Sequence, residues 1–191
     1  MKKTYFLIFL SYTLLSCSDD NEVSMASGET EMSKNSVNKD LLGDWTLDTL
    51  NIEATTNTSN VLTVTEMTGV NLNYKLSFDE SNYNISGSYD LNSNILINNQ
   101  QLSFANESIT DVEGVGGYRS TETNIISEGS FFALQVQGVD VTKSAPQQTS
   151  NYEIHDNRQL IISQLLNIDT IVSEVAINIL VDSRSVWSKI D

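Results

Sequence analysis

Hydrophobic and polar residues alternate along this chain in short runs. The clearest is Leu72-Asn73-Tyr74-Lys75-Leu76-Ser77-Phe78, in which four large apolar side chains are separated by three polar ones. A period of two puts all four on one face of an extended strand and forms no helical stripe. Asp79-Glu80-Ser81-Asn82 supplies a turn, and Tyr83-Asn84-Ile85-Ser86-Gly87-Ser88-Tyr89 returns with the same alternation. Two such runs joined by a short polar turn predict an antiparallel hairpin.

The same reading extends to both sides. Upstream, Lys39 to Leu42 suits a short helical turn capped by Asn38 or Asp40. Gly43 to Ile52 follows as a strand with Trp45, Leu47 and Thr49 on one face. Residues 53–60 read as a polar Thr/Asn loop, and Val61 to Met67 as another strand. Downstream, Asp90 to Asn94 reads as a turn into Ile95-Leu96-Ile97. Leu102-Ser103-Phe104 reads as a strand, Gly114-Val115-Gly116-Gly117 as a flexible loop, and Tyr118 to Ile126 stays open. Gly129 to Gly138, centred on Phe131 to Val136, predicts a strand, with a loop holding Pro146 after it. Tyr152-Glu153-Ile154 and Leu160-Ile161-Ile162 make a hairpin about Asp156-Asn157, and Val175 to Val181 alternates as a late strand. Gln159 to Ile171 comes nearest to a helical stripe and competes with a strand reading. The predicted fold class is therefore all-β: an antiparallel up-and-down meander. Such a sheet hides its edges outright by closing into a barrel of about eight strands, and partly by forming a sandwich.

The first forty residues obey different rules. Lys2-Lys3 precedes an apolar stretch from Tyr5 to Leu15 broken only by Ser11 and Thr13. That stretch is short for a membrane span and suits the apolar region of a signal peptide. It ends Leu14-Leu15-Ser16-Cys17, which resembles the lipobox of bacterial lipoproteins. The resemblance implies that residues 1–16 are removed as a signal peptide. It also implies that Cys17 takes a diacylglyceryl group on its thiol and an acyl group, such as palmitate, on its freed amine. The acidic run Ser18-Asp19-Asp20-Asn21-Glu22 resembles the signal that sends some lipoproteins to the outer face of the outer membrane. Residues 17–39 lack aromatic residues and apolar periodicity, which predicts a disordered polar tether. Residues 40–191 then form the folded domain.

Composition narrows the partners. The formal charge is −15; without residues 1–16, which hold two lysines and no acid, 8 basic residues face 25 acidic ones, giving −17. A surface of that sign repels phosphate backbones, so no nucleic-acid partner is expected. Cys17 is the one cysteine, so the fold has no internal disulfide and stands on packing.

A second resemblance concerns the domain. Leu42-Gly43-x-Trp45, the Phe78…Tyr83-x-x-x-Gly87-x-Tyr89 hairpin and Trp187-x-Lys189 resemble features of lipocalins and of lipocalin-like domains on bacterial surface lipoproteins. The resemblance implies a barrel closed near Gly43 and Trp45, with Lys189 or Arg184 lying against the indole. It also implies an interior that takes a small apolar or amphipathic ligand, lined by Tyr74, Phe78, Tyr83, Tyr89 and Phe132. The competing expectation is a barrel packed by these same side chains, acting as a structural or protein-binding platform. The chain lacks the disulfide and the Thr-Asp-Tyr motif of true lipocalins.

Catalytic patterns are scarce. His155 is the single histidine, and no Gly-x-Ser-x-Gly nucleophile motif accompanies it. One histidine and one cysteine make a zinc site improbable. Asp90-Leu91-Asn92-Ser93-Asn94 opens like a calcium loop, but Ile95 stands at the glycine position and Gln101 at the bidentate acid. The adjacent carboxylates Asp79-Glu80 do not face each other across a cleft as glycoside hydrolysis requires. The expectation is a non-catalytic, cofactor-free and metal-free protein anchored in the outer membrane and facing the exterior.

Overall fold

A computed structural model of the protein describes residues 37–59, 61–136, 138–141, 147–172 and 174–190. Cys17, the leader and most of the tether lie outside the described residues. Among the described residues, ten strands follow a single 3₁₀ turn at Lys39–Leu41: β1 (Gly43–Thr58), β2 (Val61–Phe78), β3 (Asn82–Ile97), β4 (Gln100–Ser120) and β5 (Asn124–Ser127) come first. The short pair β6 (Gln135–Val136) and β7 (Val139–Asp140) is followed by β8 (Gln148–His155), β9 (Gln159–Val172) and β10 (Val175–Lys189). Eight of them close a ring in the order β1-β2-β3-β4-β5-β8-β9-β10, every neighbour antiparallel, and β6 and β7 pair only with each other. The fold is thus an all-β meander whose last strand pairs with its first, from Trp45↔Lys189 to Asn57↔Asn178.

Long strands curve into such a ring only if their ladders are interrupted. Register shifts fall at Leu47/Thr49 between β1 and β10, at Val70/Asn73 between β2 and β3, and at Gly87/Tyr89 between β3 and β4. Bulges of this kind add local twist and bend a sheet. Gly87 shows the cost of tight coiling: its φ is +124°, and an added Cβ would lie 2.0 Å from the Asn73 carbonyl oxygen. No residue with a side chain occupies that place without backbone movement.

The ring has a complete base and an incomplete wall. β5 pairs with β4 only over Tyr118 to Ser120, and β8 pairs with β9 only over Gln159 to Ser163. Beyond these short strands, β9, β10, β1, β2, β3 and β4 continue as an extended curved sheet. The chain between β5 and β8 turns inward at this point. Phe131, Phe132, Leu134, Val136 and Val141 are buried and belong to the same core as Trp45, Tyr74, Tyr89, Ile179 and Trp187.

Five local expectations are corrected. Thr49 is exposed and Leu50 takes the inward place, because the register shift at Leu47/Thr49 turns the strand over. Residues 53–58 continue β1 rather than forming a loop, because Thr56 faces the interior and is buried. Asp90 to Asn94 lies within β3, with Leu91 buried and Asp90 bonded across the strands to Asn71. Gly114 to Gly117 belongs to β4, where Gly116 lets the inserted chain approach: a Cβ there would meet the Glu128 carbonyl oxygen at 2.3 Å and the Tyr83 ring at 2.6 Å. Gly129 to Gly138 is not a ring strand; only Gln135–Val136 is extended and paired. Phe131, Phe132 and Leu134 are buried with Ala133 half-buried between them, and a continuous apolar run of this kind looks the same whether the segment is a core strand or a folded-in loop.

Candidate functional site

The five predicted lining residues all reach the interior, and there they meet each other and the inserted segment. Tyr74, Phe78, Tyr83 and Tyr89 come from β2 and β3, with Phe132 from the insertion; each is at most 8 % exposed. Phe132 stacks on Trp187 at 5.7 Å and on Tyr74 at 6.0 Å, and meets the Tyr89 ring edge-on at 6.2 Å. Phe131 sits edge-on to Tyr83 at 4.9 Å and to Phe78 at 6.0 Å, and Phe78 in turn contacts Tyr118 at 4.8 Å. Stacked and edge-to-face rings at these separations are the favourable aromatic geometries.

Tyrosine hydroxyls hold the inserted backbone in place. The Tyr83 hydroxyl donates to the Glu128 carbonyl at 2.7 Å, Tyr74 to Phe131 at 2.9 Å, and Tyr89 to Ala133 at 2.6 Å. Three carbonyls of a non-strand segment thereby find donors inside the core, where an unpaired one would be costly. Burial pushes the pKa of Tyr74 and Tyr89 well above the ordinary phenol range, and burial is also the main cause of the upward shift of Tyr83. All three therefore remain neutral donors at physiological pH. Gly129 and Gly138, with φ of +88° and +78°, bracket the insertion and allow its sharp turns.

The closed base gathers Gly43, Trp45 and Lys189. The Trp45 ring is fully buried and its Nε1 donates to the Leu41 carbonyl at 2.8 Å. Lys189 Nζ lies 5.0 Å from the Trp45 ring centroid, within cation-π range, and its Cε passes 3.3 Å from the place a Cβ on Gly43 would take. Arg184 is elsewhere, opposite Asn51 in the β1–β10 ladder. The 3₁₀ turn is tied across the base: Asn38 donates its backbone N–H to Ser120 Oγ at 2.7 Å and its side-chain amide to the Tyr152 hydroxyl at 2.8 Å.

The remaining candidates stay apart. His155 ends β8 on the surface, its Nε2 3.3 Å from Glu153 Oε2. Asp79 caps its own turn, accepting from the backbone N–H groups of Ser81 and Asn82 at 2.8 and 2.6 Å. Those bonds hold its carboxyl below the usual range. Among the described residues no group of three or more His, Cys, Asp or Glu side chains is arranged to hold a metal ion. A recess of about 650 Å³ lies on the outer wall, lined by Glu53, Glu66, Asp182 and Arg184 among others, not in the aromatic interior.

Sequence reasoning did not single out Phe131, Trp187 and Tyr118 as partners of the predicted lining. Their alternation marks Trp187 and Tyr118 as inward, but nothing in a strand pattern announces that a loop enters the barrel. No family model matches the chain, no curated protein matches it, and no solved structure matches it.

Proposed function

We propose that this chain is a lipid-anchored protein of the outer membrane whose lipocalin-like barrel is a non-catalytic interaction platform. One observation carries the choice of platform over ligand carrier: the aromatic interior is occupied by the chain's own Phe131 and Phe132. A barrel of about eight strands stands at the size where side chains either fill the lumen or leave room for one small ligand; the burial of Phe131 and Phe132 among the inward aromatics supports the first. Expelling the insertion would break three hydrogen bonds, one of them fully buried, and two ring stacks, which supports a barrel that keeps the insertion in place. The anchor half of the proposal rests on the arrangement Leu14-Leu15-Ser16-Cys17. Each buried methylene contributes about 0.8 kcal/mol to membrane attachment, and more than one acyl chain is needed for stable residence.

Two measurements test the two halves. Titration with the fluorescent fatty acid cis-parinaric acid should give no saturable signal. Saturable one-to-one binding with quenching of Trp187 would overturn the platform reading in favour of a ligand in the lumen. Metabolic labelling with tagged palmitate should mark the wild type and not Cys17→Ala, and an unlabelled wild type would remove the anchor.

A further inference from the structure

The incomplete wall leaves one side of β4 bare. From Gln100 to Gly117 this strand pairs with β3, but its opposite side meets β5 only over Tyr118 to Ser120, and Gly117 accepts one further bond from the Glu128 N–H. Among the described residues no strand pairs with that side from Gln100 to Gly116. Every residue from Gln100 to Ser108 is exposed, and Leu102 and Phe104 are 62 % and 66 % exposed. From Ser103 to Ile109 the ladder with β3 runs without a register shift, so the unpaired side presents a regular row of backbone groups there. Proteins that keep such an edge unpaired usually guard it with charged side chains, proline or bulges. Here register shifts at Leu102 and at Thr110–Asp111 bound the stretch, and within it Glu107 is the one charged residue.

We propose that the β4 edge over Ser103 to Ile109 receives an extended, cationic segment of another protein as an added strand. Backbone groups supply the affinity in this mode of recognition, and side chains at alternate positions supply the selectivity. Charge selects the occupant. Between Gln100 and Tyr118 the strand carries Glu107, Asp111 and Glu113 and no basic residue. A second copy pairing here would bring together two chains whose formal charge is already −15 each, and would add no basic residue against Glu107. A Lys- or Arg-bearing strand with an apolar residue beside Phe104 has the complementary pattern. This inference rests on the platform reading and assigns it a surface.

The test uses the full-length chain and a blocked decapeptide of alternating lysine and valine. Amide hydrogen exchange is followed with and without it. The peptide should slow exchange at least ten-fold for amides within Ser103 to Ile109 that face away from β3, and leave β1 unchanged. A peptide N-methylated at alternate residues, unable to complete a ladder, should have no such effect, and Phe104→Lys should abolish the slowing. No slowing at β4, or equal slowing by the methylated peptide, would overturn the proposal. Slowing that grows with the concentration of the chain alone would give the edge to a second copy and equally overturn it. Photocrosslinking in intact membranes, from a benzoylphenylalanine placed at Asn106, separates the two layers of argument. An adduct lost in Phe104→Lys supports the edge. The same adduct in both chains refutes the edge and keeps the platform, and no adduct in either refutes both.

Discussion

Replacing Phe132 with alanine tests whether the insertion is a structural part of the core. The ring is 8 % exposed and lies between Trp187 and Tyr74, with Tyr89 edge-on. Removing a buried phenylalanine side chain costs about 3–5 kcal/mol when the cavity does not collapse. Collapse is hindered here, because the hydroxyls of Tyr74 and Tyr89 fix the backbone on either side through Phe131 and Ala133. For a domain of this size each kcal/mol moves the melting temperature by roughly 2–4 °C, so Phe132→Ala should lower it by about 6–20 °C. Urea unfolding followed by tryptophan emission suits the measurement, since Trp45 and Trp187 are both fully buried. The control is Phe104→Ala on the exposed β4 edge, expected within about 0.5 kcal/mol of the wild type. A loss below about 1 kcal/mol for Phe132→Ala would refute the reasoning, because the rings would then not depend on it.

Alkaline pH provides a second check. Burial raises the folded-state pKa of Tyr74 and Tyr89 above the model-compound value of 10.0, so the unfolded chain loses those protons first. Stability is then fully present below about pH 10 and falls above it, by up to about 1.4 kcal/mol per pH unit for each tyrosine. A denaturation midpoint flat from pH 9 to 11.5 would contradict this, and Tyr89→Phe should shallow the slope. At the base, Lys189→Met should cost about 0.5–1 kcal/mol. Trp45→Phe should cost more, about 1–3 kcal/mol, because it leaves the Leu41 carbonyl without its donor; chemical denaturation showing the reverse order would count against the assignment. Gly87→Ala should cost more than about 2 kcal/mol by urea midpoint, since it adds a clash to a strained φ. Gly138→Ala, with a positive φ but nothing within 4 Å, should cost less.

Strict alternation made much of the ring readable. Leu72 to Phe78 and Tyr83 to Tyr89 form the β2–β3 hairpin. The meeting of Trp45 with Lys189 at the base of the ring comes from the lipocalin resemblance, not from alternation. Two kinds of strand were hidden. β1 past Ile52 and β3 past Asp90 carry Thr, Asn and Ser, which read as turns; there Thr56 and Ser93 stand at inward positions, so polarity no longer marks the outer face. Of β4, the reading as a strand at Leu102 to Phe104 holds, but the rest was missed: from Ala105 to Ser108 both faces are wet, which removes the contrast that periodicity needs, and Gly114 to Gly117 reads as a loop. The site was only half legible. Inward aromatics could be named, but whether they surround a ligand or a piece of the same chain depends on where residues 128–134 go, and that is settled by contacts distant in sequence such as Tyr74 to Phe131.

The seam between β1 and β10 has a consequence for how the molecule is made. Trp45 cannot meet Lys189 until every strand between them and β10 itself has left the ribosome, so the cylinder cannot be sealed before then. Non-local pairing of this kind slows folding, because the long intervening chain must be drawn together before any contact rewards it. A nascent chain of this protein therefore stays threadable for as long as its final strand is missing. Removing β10 would leave β1 paired with β2 on one side and open along the seam on the other.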